Sequence, residues 1–215
     1  MRRGSAVLVL LLAAGLPAAA SAQACGLAHG AGISAAGGWV HYDLGAGVDG
    51  YSAGADLALA AGPVALRAGY RRMLLEGDTD PDVLRLALAL PVVRVLGVDV
   101  CATGYAGGAR FAIADDSGLA LAGGLGVTLA VSRPVGPAGI APFVTVRGLG
   151  AQTTGTVLGF DLDASGLSLG VEGGLAAVLG PFDLRLTGSL DGFDSGLGTT
   201  PYPARSVELA VGLGF

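Results

Sequence analysis

The chain closes on Val207-Glu208-Leu209-Ala210-Val211-Gly212-Leu213-Gly214-Phe215, and the alternation in this stretch decides the fold. Val207, Leu209, Val211, Leu213 and Phe215 fall on one face, while Glu208, Ala210, Gly212 and Gly214 fall on the other. Successive side chains of a strand point to opposite sides, so this strand is apolar on one side only. It suits the wall of a closed barrel whose outside meets lipid and whose inside meets water or small side chains.

The rest of the chain agrees with a membrane wall. Apolar residues make up 52% and charged residues 13%. Beyond the amino terminus no apolar run approaches the ~20 residues that a spanning helix needs. The 39 glycines follow no three-residue period, which excludes collagen. Backbone exposed to lipid must satisfy its own hydrogen bonds, leaving helices or closed barrels as spanning structures. A barrel remains.

At the amino terminus, Arg2 and Arg3 precede the apolar run Ala6 to Leu16, Pro17 and the small-residue tripeptide Ala20-Ser21-Ala22. This order is that of a secretory signal peptide, and it predicts a leader over 1–22 with cleavage before Gln23. Residues 23–215 then form one barrel domain. Removing the leader leaves 10 arginines, no lysine and 17 acids, a net charge of −7. Such a balance argues against nucleic acid, whose binding rests on cationic side chains that displace counterions.

About ten apolar-alternating segments follow, roughly 32–45, 50–61, 63–75, 82–93, 98–112, 118–132, 139–153, 165–179, 181–191 and 204–215. Leu84, Leu86, Leu88 and Leu90 share a face, as do Leu119, Leu121, Leu125, Val127, Leu129 and Val131. The connections alternate in kind. One set is mostly short, such as Ala61-Gly62-Pro63 and Gly180-Pro181; the other is polar and acidic, including Glu76 to Asp82, Gln152 to Ser165 and Asp191 to Ala204. Outer-membrane barrels have short periplasmic turns and longer external loops, which predicts an antiparallel up-and-down barrel of about ten strands with both ends periplasmic. Eight strands is the alternative, with the glycine-rich first segments paired differently.

With its leader, alternating strands and terminal Leu213-Gly214-Phe215, the chain resembles the small outer-membrane β-barrel proteins of the OmpA/OmpX and OmpW type. The resemblance covers nearly all of the mature chain, rests on architecture, and implies an integral outer-membrane location. It also implies that Leu213 and Phe215 belong to a carboxy-terminal signal read by the barrel-assembly machinery. No activity follows from it.

The inward faces collect charge. Asp56, Arg67, Arg71, Arg85, Arg147, Glu172, Arg185 and Glu208 all fall on them, and the signs alternate strand by strand over the last four segments. This pattern predicts a layer of interior ion pairs, with Asp56 pairing to the arginines of the third and fourth segments. Arginine suits such a layer because its planar fork grips carboxylates bidentately. A narrow lumen closed by that layer is the favoured expectation over an ion-selective constriction. Eleven acids are assigned to external loops without an arginine among them: Asp49, Glu76, Asp78, Asp80, Asp82, Asp115, Asp116, Asp161, Asp163, Asp191 and Asp194. They are expected to be solvated loop tips, with an extracellular ligand or a divalent cation as the functional alternative. Asp78-Thr79-Asp80-Pro81-Asp82 begins like a calcium loop but continues with Val83 and Ala89, where that pattern wants glycine and glutamate.

Cys25 and Cys101 both fall at the periplasmic end, in an oxidising compartment, and are expected to pair. Only His29 and His41 are available as histidines. His41 and Asp43 share a face with Trp39 near the external end of the first segment, where a hydrolase dyad is possible but an aromatic girdle is the simpler reading. The expectation is thus a non-enzymatic barrel without metal or cofactor, embedded in outer-membrane lipid. It would support the membrane or make contacts through its acidic loops. A small channel for ions or apolar molecules and a hydrolase using His41 and Asp43 are the alternatives.

Overall fold

The computed structural model describes residue 25 and residues 31–42, 47–61, 63–76, 80–113, 116–131, 139–157, 160–193 and 204–214. The leader, Asp43, Asp78, Asp115, Asp194 and Phe215 lie outside the described residues.

Ten strands form one closed antiparallel barrel. They are β1 (Ala31–Tyr42), β2 (Val48–Ala61), β3 (Val64–Leu75), β4 (Asp82–Val95), β5 (Val98–Ile113), β6 (Asp116–Val131), β7 (Ala141–Val157), β8 (Phe160–Leu179), β9 (Phe182–Phe193) and β10 (Ala204–Gly214). Each strand pairs with its sequence neighbours, and β1 pairs with β10 to close the ring. The eight-strand alternative fails because the glycine- and alanine-rich β1 and β2 pair along their whole length, from Ala31 opposite Leu59 to Tyr42 opposite Val48. Backbone hydrogen bonds, which need no bulky side chain, hold these two strands in place.

The alternation sorts side chains as expected of a lipid-facing wall. Leu57, Leu86, Leu125, Leu167 and Leu209 point outward and are each at least half exposed. A continuous apolar exterior of this kind is stable in hydrocarbon and would aggregate in water. Inward positions hold mostly small or polar groups instead, including the buried Ser52, Thr103, Thr128, Thr145 and Thr153, with Val40, Met73 and Phe143 as larger apolar exceptions. Thr128 and Thr145 share a 2.7 Å hydrogen bond, and Ser189 and Ser206 share one of 2.8 Å. At the closing seam Gly38 faces Glu208; a Cβ there would meet the Val207 carbonyl oxygen at 2.0 Å. Glycine permits the close approach that seals the ring.

Connections 62–63, 96–97 and 180–181 lie at the end where β1 starts and β10 stops. That end is periplasmic by the rule of short inner turns. The external end departs from expectation. Stretches 152–165 and 114–118, assigned to loops, are mostly strand, because β7 and β8 pair as far as Val157 opposite Phe160 and β5 and β6 as far as Ile113 opposite Asp116. These extensions are rich in Thr, Gly, Ser and Asp. They keep the hydrogen-bond ladder while losing the apolar signal once the wall rises beyond the bilayer. A spanning strand needs only ~9–11 residues, so the 20 residues of β8 carry its hairpin past the hydrocarbon. Asp49, Asp82, Asp116, Asp161, Asp163 and Asp191 consequently sit on strands rather than at loop tips.

Candidate functional site: the lumen

Two groups of charged side chains meet inside the barrel. In the first, Asp56 of β2 accepts from both terminal nitrogens of Arg71 at 2.9 Å, and also from Arg67 two turns of the pleat lower on β3. Asp56 and Arg71 are almost fully buried, at 4% and 2% exposure. Arg71 reaches on to Glu208 of β10 at 3.4 Å, and Glu208 also takes Arg85 of β4 at 3.5 Å and the Ser52 hydroxyl at 3.4 Å. The expected partnership of Asp56 with β4 is therefore corrected. Both of its arginines come from β3, and Arg85 turns to Glu208, four strands away through the β1–β10 seam. Opposing Arg85 across the β3 ladder is Gly69, whose missing side chain leaves room for the Asp56 carboxylate; a Cβ on Gly69 would lie 2.4 Å from its oxygen.

In the second group, Arg147 of β7 bridges two carboxylates. Its NH1 donates to Glu172 of β8 at 3.0 Å, while its Nε and NH2 grip Asp191 of β9 at 3.0 and 2.6 Å. Arg185 of β9 donates to the other Glu172 oxygen at 3.2 Å. Aromatic faces complete the enclosure: Tyr105 lies 5.3 Å from the Arg147 guanidinium carbon and Phe143 lies 4.2 Å from that of Arg185. A cation over a ring face gains from the ring quadrupole, most strongly where water is excluded.

Asp191 is the residue that sequence reading misplaced. It was assigned to an acidic loop free of arginine, yet it points inward and takes Arg147 in a two-pronged grip. Asp80 lies outside the strands, as expected, and is 3.4 Å from Arg72 of β3. The missed signal for Asp191 is parity. Asp183, Arg185, Thr187, Ser189 and Asp191 lie on one face of β9, so continuing the alternation past Leu190 reaches it. Asp183 was missed on the same face. Among the described residues, the inward Arg67, Arg71, Arg85, Arg147 and Arg185 are thereby matched in number by Asp56, Glu172, Asp183, Asp191 and Glu208, apart from the Arg94–Asp99 pair of the β4–β5 turn. A cavity of about 50 Å³ lies to the periplasmic side of both groups, bordered by Ser34, Asp56, Arg67, Asp183, Arg185 and Ala210. It has room for a water or two.

At the periplasmic mouth Cys25 and Cys101 form a disulfide, with Cα atoms 5.8 Å apart. Cys101 is on the inward face of β5, and Cys25 packs with it against Ala65 of β3 and Ala89 of β4. Cys25, ahead of β1 in the chain, is thus held inside the wall. Nearby, Arg94 and Asp99 pair across the β4–β5 turn.

His41 and Trp39 point outward, at the external end of β1. Their rings stack at 5.9 Å, and Asp49 of β2 accepts from the Trp39 indole at 3.2 Å and lies 3.0 Å from His41 Nδ1. The carboxylate against His41 is thus Asp49; Asp43 lies outside the described residues. Among the described residues no three metal-ligating side chains gather at one point.

A closed ten-strand barrel with an apolar belt and a polar interior is an integral outer-membrane barrel. No family model and no curated relative matches the chain. Solved structures do. The translocator domain of autotransporter NalP from Neisseria meningitidis matches with a TM-score of 0.50 and 14% identity, over 86% of this chain and 88% of that one. Neisserial surface protein A matches at TM-score 0.43 and 11% identity, over 86% and 97% of the two chains. Ail, the attachment invasion locus protein of Yersinia pestis, matches at 0.42 and 10%, over 85% and 97%. At these identities the likeness speaks to the fold alone, which is that of the small outer-membrane barrels.

Proposed function

We propose that this protein is a non-enzymatic outer-membrane barrel whose lumen is closed by its own ion pairs. It acts by stiffening the membrane and by presenting its acidic external rim to the surroundings. The observation that carries the reading is the reach of the pairs: Glu208 draws in arginines from β3 and β4, so the charges tie distant parts of the wall together. Ten strands spaced ~4.8 Å apart and tilted by ~40° enclose a backbone radius of about 10 Å, and five arginine side chains entering that space leave little of it free. Equal numbers of opposite charges also leave this set of inward groups without a net charge to favour ions of one sign. The hairpin of β7 and β8 carries Asp161 and Asp163 on its outer face, which suits contact with cationic groups outside the cell. Leu213 and Phe215 are proposed as the assembly signal, with Leu213 exposed on the outer wall beside the seam.

Planar-bilayer recording tests the reading. The purified wild-type barrel is expected to give no steady discrete conductance, and a variant that removes both Arg147 and Arg71 is expected to give one. Steady wild-type conductance overturns the closed lumen and favours the small-channel alternative. The hydrolase alternative is tested separately: lipid or peptide turnover abolished by His41→Ala would establish it.

A further inference from the structure

The outer wall carries a pattern that the lumen does not explain. Outward positions in the periplasmic half are apolar or small on every strand, and outward charge begins only near the external ends. Among the described residues three arginines point outward: Arg72 on β3, Arg110 on β5 and Arg205 on β10. All three are exposed, and all lie within a few residues of the external end of their strand. Their strands belong to one unbroken arc, β10-β1-β2-β3-β4-β5. The three outward aromatics of that rim, Trp39, Tyr51 and Tyr70, lie between them on β1, β2 and β3, with Trp39 directly opposite Tyr51.

Local counter-charge is largely committed elsewhere. Asp49 takes the Trp39 indole and His41, and Asp82 takes the Tyr70 hydroxyl. Arg72 is 3.4 Å from Asp80. Arg205 opposes His41 in the ladder and Arg110 opposes Asp82. Neither Arg110 nor Arg205 has a carboxylate within ion-pair distance among the described residues. A guanidinium facing hydrocarbon costs ~2–4 kcal/mol at the bilayer midplane and ~0–1 near the interface. Aromatic belts mark that interface, so the rim lies at headgroup depth. The anion available there is lipid phosphate, and the flat guanidinium fork grips phosphate through two parallel hydrogen bonds.

We propose that this arc is a binding surface for the phosphate groups of outer-leaflet lipid, with Arg110 and Arg205 as its two direct contacts. They lie five of ten strand spacings apart, half-way round the wall and roughly 30 Å along it, and therefore hold separate phosphates. The arc β6 to β9 has no outward arginine among its described residues and carries Asp161 and Asp163 outward, so anionic lipid is held at the two ends of the β10-to-β5 arc and not along β6 to β9. The inference depends on the wall and not on whether the lumen is closed.

Native mass spectrometry of the folded barrel in detergent tests it, titrating in lipid A with both phosphates, the same lipid with the phosphates removed, or inorganic phosphate. The wild type is expected to retain the phosphorylated lipid and to release the dephosphorylated one. Arg110→Gln and Arg205→Gln are each expected to weaken retention roughly fivefold, the scale of one basic residue at an anionic surface, and Arg110→Lys to preserve most of it. Folding of each variant is checked by its heat-modifiable gel mobility, so a loss of binding is read only on folded barrel. Equal retention of the dephosphorylated lipid, or unchanged retention in the double glutamine variant, overturns the proposal in favour of an apolar annulus. Displacement of the lipid by inorganic phosphate at comparable concentration overturns it in favour of a free-anion site.

Discussion

Asp56→Asn is the sharpest perturbation of the lumen. The substitution keeps size and shape but removes the negative charge on which Arg71 and Arg67 converge. Breaking a buried ion pair from one side costs ~3–5 kcal/mol, because the surviving charge is stranded. Two features pull the value to the lower end. Glu208 already stands 3.4 Å from Arg71 and takes up part of its charge, and Arg67, with 21% of its side chain exposed, borders the small cavity and can draw on water. The expected loss is therefore about 3 kcal/mol. With a urea slope of ~2–3 kcal/mol per molar for a chain of this size, the unfolding midpoint falls by about 1 M. The assay is equilibrium unfolding of barrel refolded in lipid vesicles, followed by the emission of Trp39, the only tryptophan. Asp56→Leu combined with Arg71→Met, which removes both charges, is expected to recover most of the loss. A shift below ~1 kcal/mol for Asp56→Asn, the size seen for exposed pairs, refutes the reasoning, since it means that water reaches this level of the lumen freely.

Further outcomes follow from other parts of the wall. Asp191→Asn is expected to destabilise the barrel by ~2–4 kcal/mol, because Arg147 loses its two-pronged partner and keeps only Glu172; an effect as small as that of a loop substitution would return Asp191 to the solvated rim. Gly38→Val should prevent closure of the β1–β10 seam, seen as loss of the compact heat-modifiable band, since its Cβ collides with the Val207 carbonyl. Cys101→Ser opens a loop of 76 residues, and chain entropy puts the loss at ~4–5 kcal/mol with measured cases nearer ~2–4; identical unfolding with and without reductant would show that the bridge contributes nothing. Deleting Phe215 is expected to lower the amount of folded barrel in the outer membrane severalfold while leaving secretion across the inner membrane intact, as read by fractionation and immunoblotting.

How legible this molecule was depended on which side of the wall a residue faces. Outward leucines and valines must satisfy hydrocarbon at every second position, so β4, β6, β9 and β10 announce themselves. The inward arginines were visible for the complementary reason, as isolated charges at alternating positions within apolar runs. Partner choice was less visible. Asp56 lies opposite Gly69 in the ladder, and its pairing with Arg71 rather than Arg85 depends on strand tilt and on the space that Gly69 leaves. Above the membrane the alternation loses its chemical contrast, since neither face needs to be apolar there. The upper halves of β7 and β8 therefore read as loop, and Asp191 was drawn outward with them. The rim arginines were equally present in the sequence, but only the closed order of strands puts β10 and β3 on the same arc.

The disulfide has a topological consequence. Cys25 and Cys101 bound a covalent ring that contains β1 to β4, together with the external connections 43–47 and 76–81. A protease outside the cell that nicks either connection cuts the ring once and leaves every part of the molecule joined. Cuts at 114–115, 158–159 or 194–203 fall beyond the ring, and there only the ladder holds the pieces. The external end thus has two kinds of connection, distinguishable on a denaturing gel by whether a reductant is needed to free the fragment. The first four strands are the part of the wall that a single cut from outside cannot dismember.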